Sequence, residues 1–272
     1  MKRLMNRHPD TAVRAILGAI PFVLLLLVYI VASNARLAQN PNDKLLPSIQ
    51  SMVTAMEKLA SEPSKRSGDY ILWADTLSSL QRLGFGVTIS AIIGLCFGIV
   101  TGTIPLVRAN LAPLITTVSL IPPLALLPIL FIVFGLGELS KVILIAIGIT
   151  PFIMRDLQAK VLELPAEQLI KAQTLGASTW QVVLRVVLPQ IVPRLIEAVR
   201  LSLGAAWLFL IAAEAIASTD GLGYRIFLVR RYLSMDIILP YVAWITLLAF
   251  MTDYVLKQLA LKLFPWFYAQ DK

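Results

Sequence analysis

Histidine, cysteine and charge are what this 272-residue chain is short of. Its one histidine, His8, sits in the polar N-terminal stretch, so neither a histidine-ligated zinc centre nor a Ser-His-Asp hydrolase has its parts. Its one cysteine, Cys96, lies in an apolar run without a partner, which excludes a disulfide framework and a cysteine-based metal site. No glycine is followed by lysine, so the G-x4-G-K-[ST] phosphate loop is absent. Charged residues make up 15% of the chain, whereas soluble domains carry about 25%. Hydrophobic residues make up 58%, and the mean hydropathy is +0.79. A globule of this size cannot hide so much apolar sequence. The solvent for this chain is a bilayer.

A spanning helix needs about 20 mostly apolar residues. Six candidates satisfy this: 15–32, 84–104, 112–134, 140–157, 191–216 and 238–260. The first is preceded by Lys2, Arg3, Arg7 and Arg14, as in a signal peptide. Its apolar run is longer than a usual signal core and no small-residue cleavage pattern follows, so an uncleaved anchor is expected. The net charge of +8 fits basic loops facing anionic lipid rather than nucleic acid.

With the N-terminus inside, thirteen Lys and Arg fall on the inner side and ten on the outer side. Six of those ten, including Arg82, lie in one long loop, 33–83, and long loops constrain orientation weakly. Both termini are expected in the cytoplasm. The expected organisation is a cytoplasmic tail (1–14), a first span (15–32) and an external loop (33–83). A permease core (84–260) with a cytoplasmic hairpin (158–190) and a cytoplasmic tail (261–272) complete it. Within the loop, Ile49, Met52, Val53, Met56 and Leu59 recur at helical spacing and predict a short amphipathic helix. The fold class is all-α and polytopic.

Inside the spans, Ser90, Gly94, Gly98 and Gly102 recur every four residues and offer one face for close helix packing. The third span contains Pro122, Pro123 and Pro128. Each proline removes a backbone donor. In lipid, broken helix is tolerated only against protein or a water-filled cavity, so these prolines point to a transport path or, more simply, to a kink. In the fifth span Arg194, Glu197, Arg200, Gly204, Trp207, Ile211 and Glu214 share a face. Arg194–Glu197 and Glu197–Arg200 can pair along the helix. Arg200 and Glu214 lie about 21 Å apart along it, so Glu214 needs a partner from another helix, water or substrate. A structural ion pair and a place in the path are both open.

Between the fourth and fifth spans, Pro165 and Glu167 start a helix, and Glu167 can pair with Lys171 four residues on. Gly176 ends it as a left-handed cap. Ser178 and Gln181 form an S-x-x-Q capping box that starts a second helix, which Pro189 is expected to stop. Two short helices joined at a glycine also describe a DNA-reading helix-turn-helix. Flanking membrane spans leave no place for nucleic acid. A rigid hairpin there serves to be gripped by a protein partner.

Lys171-Ala172, Gly176 and Val186-Val187-Leu188-Pro189 resemble the EAA loop, E-A-A-x3-G-x9-I-x-L-P, of permease subunits of binding-protein-dependent ABC importers. Ile170 and Lys171 stand where Glu and Ala are usual, and Glu167 lies one turn earlier. Leu46-Pro47-Ser48, the run from Ile121 to Pro128, Phe134-Gly135, Ala213-Glu214 and Gly221-Leu222-Gly223-Tyr224 are similar to the nitrate/sulfonate/taurine group.

That resemblance implies a six-helix, type I importer permease in the bacterial inner membrane, paired with a second copy and non-catalytic itself. Two cytoplasmic ATPases would bind ATP and Mg and grip the loop through Glu167, Lys171, Ala172, Gly176, Ala177, Ser178, Val186, Leu188 and Pro189. No cofactor is expected in this chain. A substrate-binding protein would deliver a small anion or nitrogenous solute to the outer face, with Arg225, Arg230 and Arg231 as a docking rim. Pro122, Pro123, Pro128, Arg200, Trp207 and Glu214 are the expected path residues. Two rival classes are an ion-coupled secondary transporter, which usually has more spans and inverted repeats, and an intramembrane hydrolase. The latter lacks a membrane-depth histidine, and Asp156 and Asp253 fall near span ends.

Overall fold

The computed structural model describes residues 10–41, 43–64 and 68–269. The leader cations Lys2, Arg3 and Arg7, together with Lys65, Arg66 and Lys272, lie outside the described residues. The hydrophobic stretch of α1, Thr11–Gln39, is apolar all round, and none of the other described residues covers it. Such a helix fits lipid. Near its end, Tyr29 donates to the Pro47 carbonyl (2.7 Å) and Ser33 to that of Leu46 (3.0 Å). The expected amphipathic helix is present as α2, Ile49–Ser61, capped by the Ser48 hydroxyl.

α3, Ile71–Thr103, is thirteen residues longer at its N-terminus than the second span read from hydropathy. The external loop therefore ends near residue 70, and Arg82 is a helical residue, 3% exposed. Hydropathy ends the span at Gly84 because Asp75, Thr76, Ser79 and Arg82 are polar, yet all four are buried. The expected third span is not one helix. α4, Pro105–Ser119, is followed by a 3-10 turn, Pro123–Leu126, and α5, Leu127–Phe134, and the two halves are bent by 82°. Pro122 and Pro123 supply no N–H groups to continue α4, and the result is a true break rather than a kink.

α6, Glu138–Leu162, runs parallel to α3 and forms with it the most extensive helix pair. The small-residue stripe makes the contact. A Cβ on Gly94, Gly98 or Gly102 would lie 2.5–2.7 Å from side-chain atoms of Ile153, Leu157 and Val161, respectively, all on α6. α7, Ala166–Thr174, and α8, Thr179–Val182, form the hairpin. Pro189 does not stop the second helix. A widened π turn over Val183–Val187 passes directly into α9, Leu188–Ala217, so helix is continuous from Thr179 to Ala217. A prolines's missing donor is tolerated at a first helical position, and the widened turn precedes it. α10, Leu222–Arg230, α11, Met235–Leu263, and α12, Pro265–Tyr268, follow. The core lies among α3, α6 and α9, centred on Leu144, Ile145, Ile153, Leu157, Ala206 and Leu210. Five helices, or six with the bent pair, are long and apolar enough to cross a membrane.

Candidate functional site

The hairpin is built from local chemistry. Gly176 has φ +80°, a conformation that suits glycine, and its N–H donates to the Gln173 carbonyl (2.9 Å). The Ala177 N–H donates to the Ala172 carbonyl (3.0 Å), completing a Schellman cap. One residue on, the Ser178 hydroxyl accepts from the Gln181 N–H while the Gln181 side chain accepts from the Ser178 N–H. Two consecutive caps hold the corner rigid. At and beside that corner, Leu175 is 87% exposed and Trp180 69%, with Ile170 also exposed. Glu167 and Lys171, expected to pair, are both exposed and form no ion pair among the described residues. Val186 and Leu188 are half-buried against the core and Pro189 is exposed.

At the broken span, α6 and the end of α4 enclose a cavity of about 430 Å³. Ser119, Ile121, Pro123, Gly148, Arg155 and Asp156 are among its lining residues. Pro122 and Pro128 are exposed beside it. Arg155 Nη1 donates to Ser119 Oγ at 3.0 Å. Because α6 continues to Leu162, Arg155 and Asp156 lie inside the helix rather than at a span end.

At the opposite end of the bundle sits a cluster of charges. Glu214, 0% exposed, accepts from Arg82 Nη1 (2.7 Å), Ser79 Oγ (2.8 Å) and the Gly223 N–H (2.8 Å). Arg82 also donates to Glu138 (2.8 Å) and to Asp220 (2.5 Å). Lys141 joins Glu138 to Ser218, with both contacts at 2.9 Å. Beside it, Asp75 accepts from Arg225 Nε (2.8 Å) and from the Gly221 N–H (3.0 Å). Gly221 has φ +109°, and a Cβ there would lie 2.5 Å from Glu214 Oε1. Asp220 lies in the turn after α9. Burial pushes its carboxyl up, but the Arg82 guanidinium and the Ser78 hydroxyl more than offset this and leave it below its ordinary value.

These contacts correct several sequence expectations. Glu214 has its partner from α3 and is enclosed by the chain itself, so it lines no open path. Trp207 is likewise buried. Arg200 pairs with Asp253 of α11 (2.8 Å) rather than with Glu197, whereas Arg194–Glu197 forms as expected (3.0 Å). Arg225 is held by Asp75 and is not a free rim charge, while Arg230 and Arg231 are exposed, Arg230 over the Phe227 ring. Sequence reasoning placed Arg82 in the external loop and missed its role in this cluster. The signal was present: Asp75, Ser79, Arg82 and Gly86 extend the Ser90–Gly102 stripe at three- and four-residue steps.

A polytopic helical membrane protein with a broken span and a rigid hairpin between two spans defines the class. Residues 94–264 match the family described as "Binding-protein-dependent transport system inner membrane component", and the chain belongs to that family. It is 36% identical over 198 residues to the taurine transport system permease protein TauC of Escherichia coli, covering 73% of this chain and 72% of that protein. It is 31% identical over 195 residues to the putative aliphatic sulfonates transport permease protein SsuC of Bacillus subtilis, covering 69% and 68%. Its fold is similar to a chain of the inward-facing MetNI methionine ABC transporter, with TM-score 0.63 and 20% identity over 72% of this chain and 97% of that one. The chain is an ABC importer permease of type I fold and a multi-pass inner-membrane protein. The secondary-transporter reading is not favoured.

Proposed function

We propose that two copies of this chain form the path of an ATP-driven importer, each gripped through its α7–α8 hairpin by a cytoplasmic ATPase that binds ATP and Mg. The observation that carries the reading is the doubly capped corner with exposed Leu175 and Trp180. Large apolar side chains on a rigid corner are anchors for a partner's groove. The hairpin would be a stiff connector that turns ATPase closure into rocking of α6 and α9. Glu167, Lys171, Ala172, Ala177 and Ser178 fall on or beside this surface, with Val186, Leu188 and Pro189 joining it to α9.

Both termini and the hairpin would then face the cytoplasm. The path would follow the broken span at Pro122, Pro123 and Pro128, and the solute would be a small sulfonate, another oxyanion or a small nitrogenous compound. A substrate-binding protein would dock at the opposite end, where exposed Arg230 and Arg231 offer a charged rim. Co-purification tests the reading. Leu175→Asp with Trp180→Asp should abolish retention of the partner ATPase by the tagged permease while membrane insertion is kept. Undiminished retention would refute the hairpin as the grip.

A further inference from the structure

The first arm of the hairpin, α7, has no buried residue, so packing alone holds it weakly. The second arm, α8, reaches α9 through the widened turn over Val183–Val187. There the Leu188 N–H donates five residues back, to the Val183 carbonyl, and Pro189 has no N–H to give. The stretch has lost part of its regular ladder and is the soft point on the direct route from the corner to α9. Such widened turns recur at functional sites.

Gln190 braces that point. Its Nε2 donates to the Val186 carbonyl (2.8 Å) and to Gln168 Oε1 of α7 (3.0 Å), spending both amide protons. A backbone carbonyl can only accept, which fixes the orientation of the Gln190 amide and makes the Gln168 oxygen the acceptor across the gap. Among the described residues this is the one side-chain hydrogen bond or ion pair between α7 and α9.

We infer that Gln190 is the positioning residue that carries motion of the hairpin into α9. This rests on the permease reading above and adds how the load of the ATPase is passed on. The doubly capped corner at Gly176 is one vertex of a three-sided frame. The Gln168–Gln190 bridge closes the opposite side. A closed frame keeps its angles, whereas an open hairpin bends at the widened turn and leaves α9 where it was. Load applied at Leu175 and Trp180 then turns α9 as one body with the hairpin.

The test uses the full-length chain with its ATPase in nanodiscs and reads electron–electron distances between two copies. Cys96→Ser removes the native thiol, and Ile216→Cys places a spin label at the far end of α9, where the side chain is exposed. In the otherwise wild-type chain, trapping with ATP and vanadate should shift the inter-copy distance. Gln190→Leu and Gln168→Leu should each cut that shift to less than half while the ATPase is still retained, and the double leucine variant should be no worse than either. Gln168→Leu keeps the Val186 contact, so it separates loss of the bridge from damage to the widened turn. Gln168→Glu with Gln190→Lys rebuilds the bridge as an ion pair and should restore the shift. A full shift in Gln168→Leu, or no recovery in the Glu–Lys pair, would overturn the role of Gln190. Lost ATPase retention in Gln168→Leu overturns it too, because the bridge would then shape the grip instead of passing on its motion. A wild type that retains no ATPase removes the permease reading itself, whereas retention with a full shift in both leucine variants removes only the role of Gln190.

Discussion

The Arg82–Glu214 contact predicts an asymmetric response to mutation. Arg82→Leu leaves the Glu214 carboxylate fully enclosed, with only the Ser79 hydroxyl and the Gly223 N–H as partners. Breaking a buried pair from one side costs about 3–5 kcal/mol. Glu214→Leu is milder, because Arg82 keeps Glu138 and Asp220, whose side chains are 63% and 46% exposed and can draw in water. Loss of one charged hydrogen-bond partner there costs about 1–3 kcal/mol. The double variant replaces the pair by apolar groups, and such exchanges are often neutral. Its loss should fall well below the sum, with a coupling of about 2–3 kcal/mol. Reversible unfolding of the purified chain in mixed micelles, driven by increasing SDS and followed by tryptophan fluorescence, gives the four free energies. Additive losses, or Glu214→Leu as damaging as Arg82→Leu, would refute the reasoning.

Gly176→Val should insert and dimerise yet transport little. A left-handed valine costs roughly 1–2 kcal/mol and nothing lies within 4 Å of its Cβ, so wild-type uptake by that variant would count against a role for the corner in coupling. Gly94→Ala should destabilise the α3–α6 pair, because its Cβ would meet Ile153 Cγ2 at 2.5 Å in a core that gives little. Adding Ile153→Ala should give a double loss smaller than the sum in the same SDS assay. Asp220 predicts an acid limit: its folded carboxyl lies below the ordinary 3.8, so its stabilisation is present above that value and lost as pH falls through the folded one. Asp220→Asn should flatten the decline in unfolding free energy below about pH 4, and an unchanged slope would remove Asp220 from that account.

The parts of the fold written in local chemistry are readable from the chain. Gly176 with the Ser178–Gln181 box marks the hairpin corner to the residue, because caps depend on neighbours three or four positions apart. Spans are readable in number but not in length. A hydropathy scan starts the second span after Arg82 because it prices charge as if it faced lipid. Arg82 is instead satisfied by Glu214, 132 residues away in sequence. That boundary left out Arg82 along with thirteen residues of helix. Four of the ten cations assigned to outer loops, Arg36, Arg82, Lys141 and Arg225, prove to be in ion pairs with carboxylates of the same chain. Their charges are spent on carboxylates within the protein and carry less topological information than a count assumes. Pro189 misled for a different reason: its missing donor ends a helix only when no widened turn takes it up.

The central claim is that this permease moves its solute on ATP hydrolysed by a partner. Proteoliposomes containing the permease with the proposed ATPase and substrate-binding protein, given a labelled solute that the binding protein carries, test it most directly. Uptake should require both ATP and the binding protein and should persist when ionophores collapse every ion gradient. Uptake that proceeds without ATP and stops with the ionophores would contradict it.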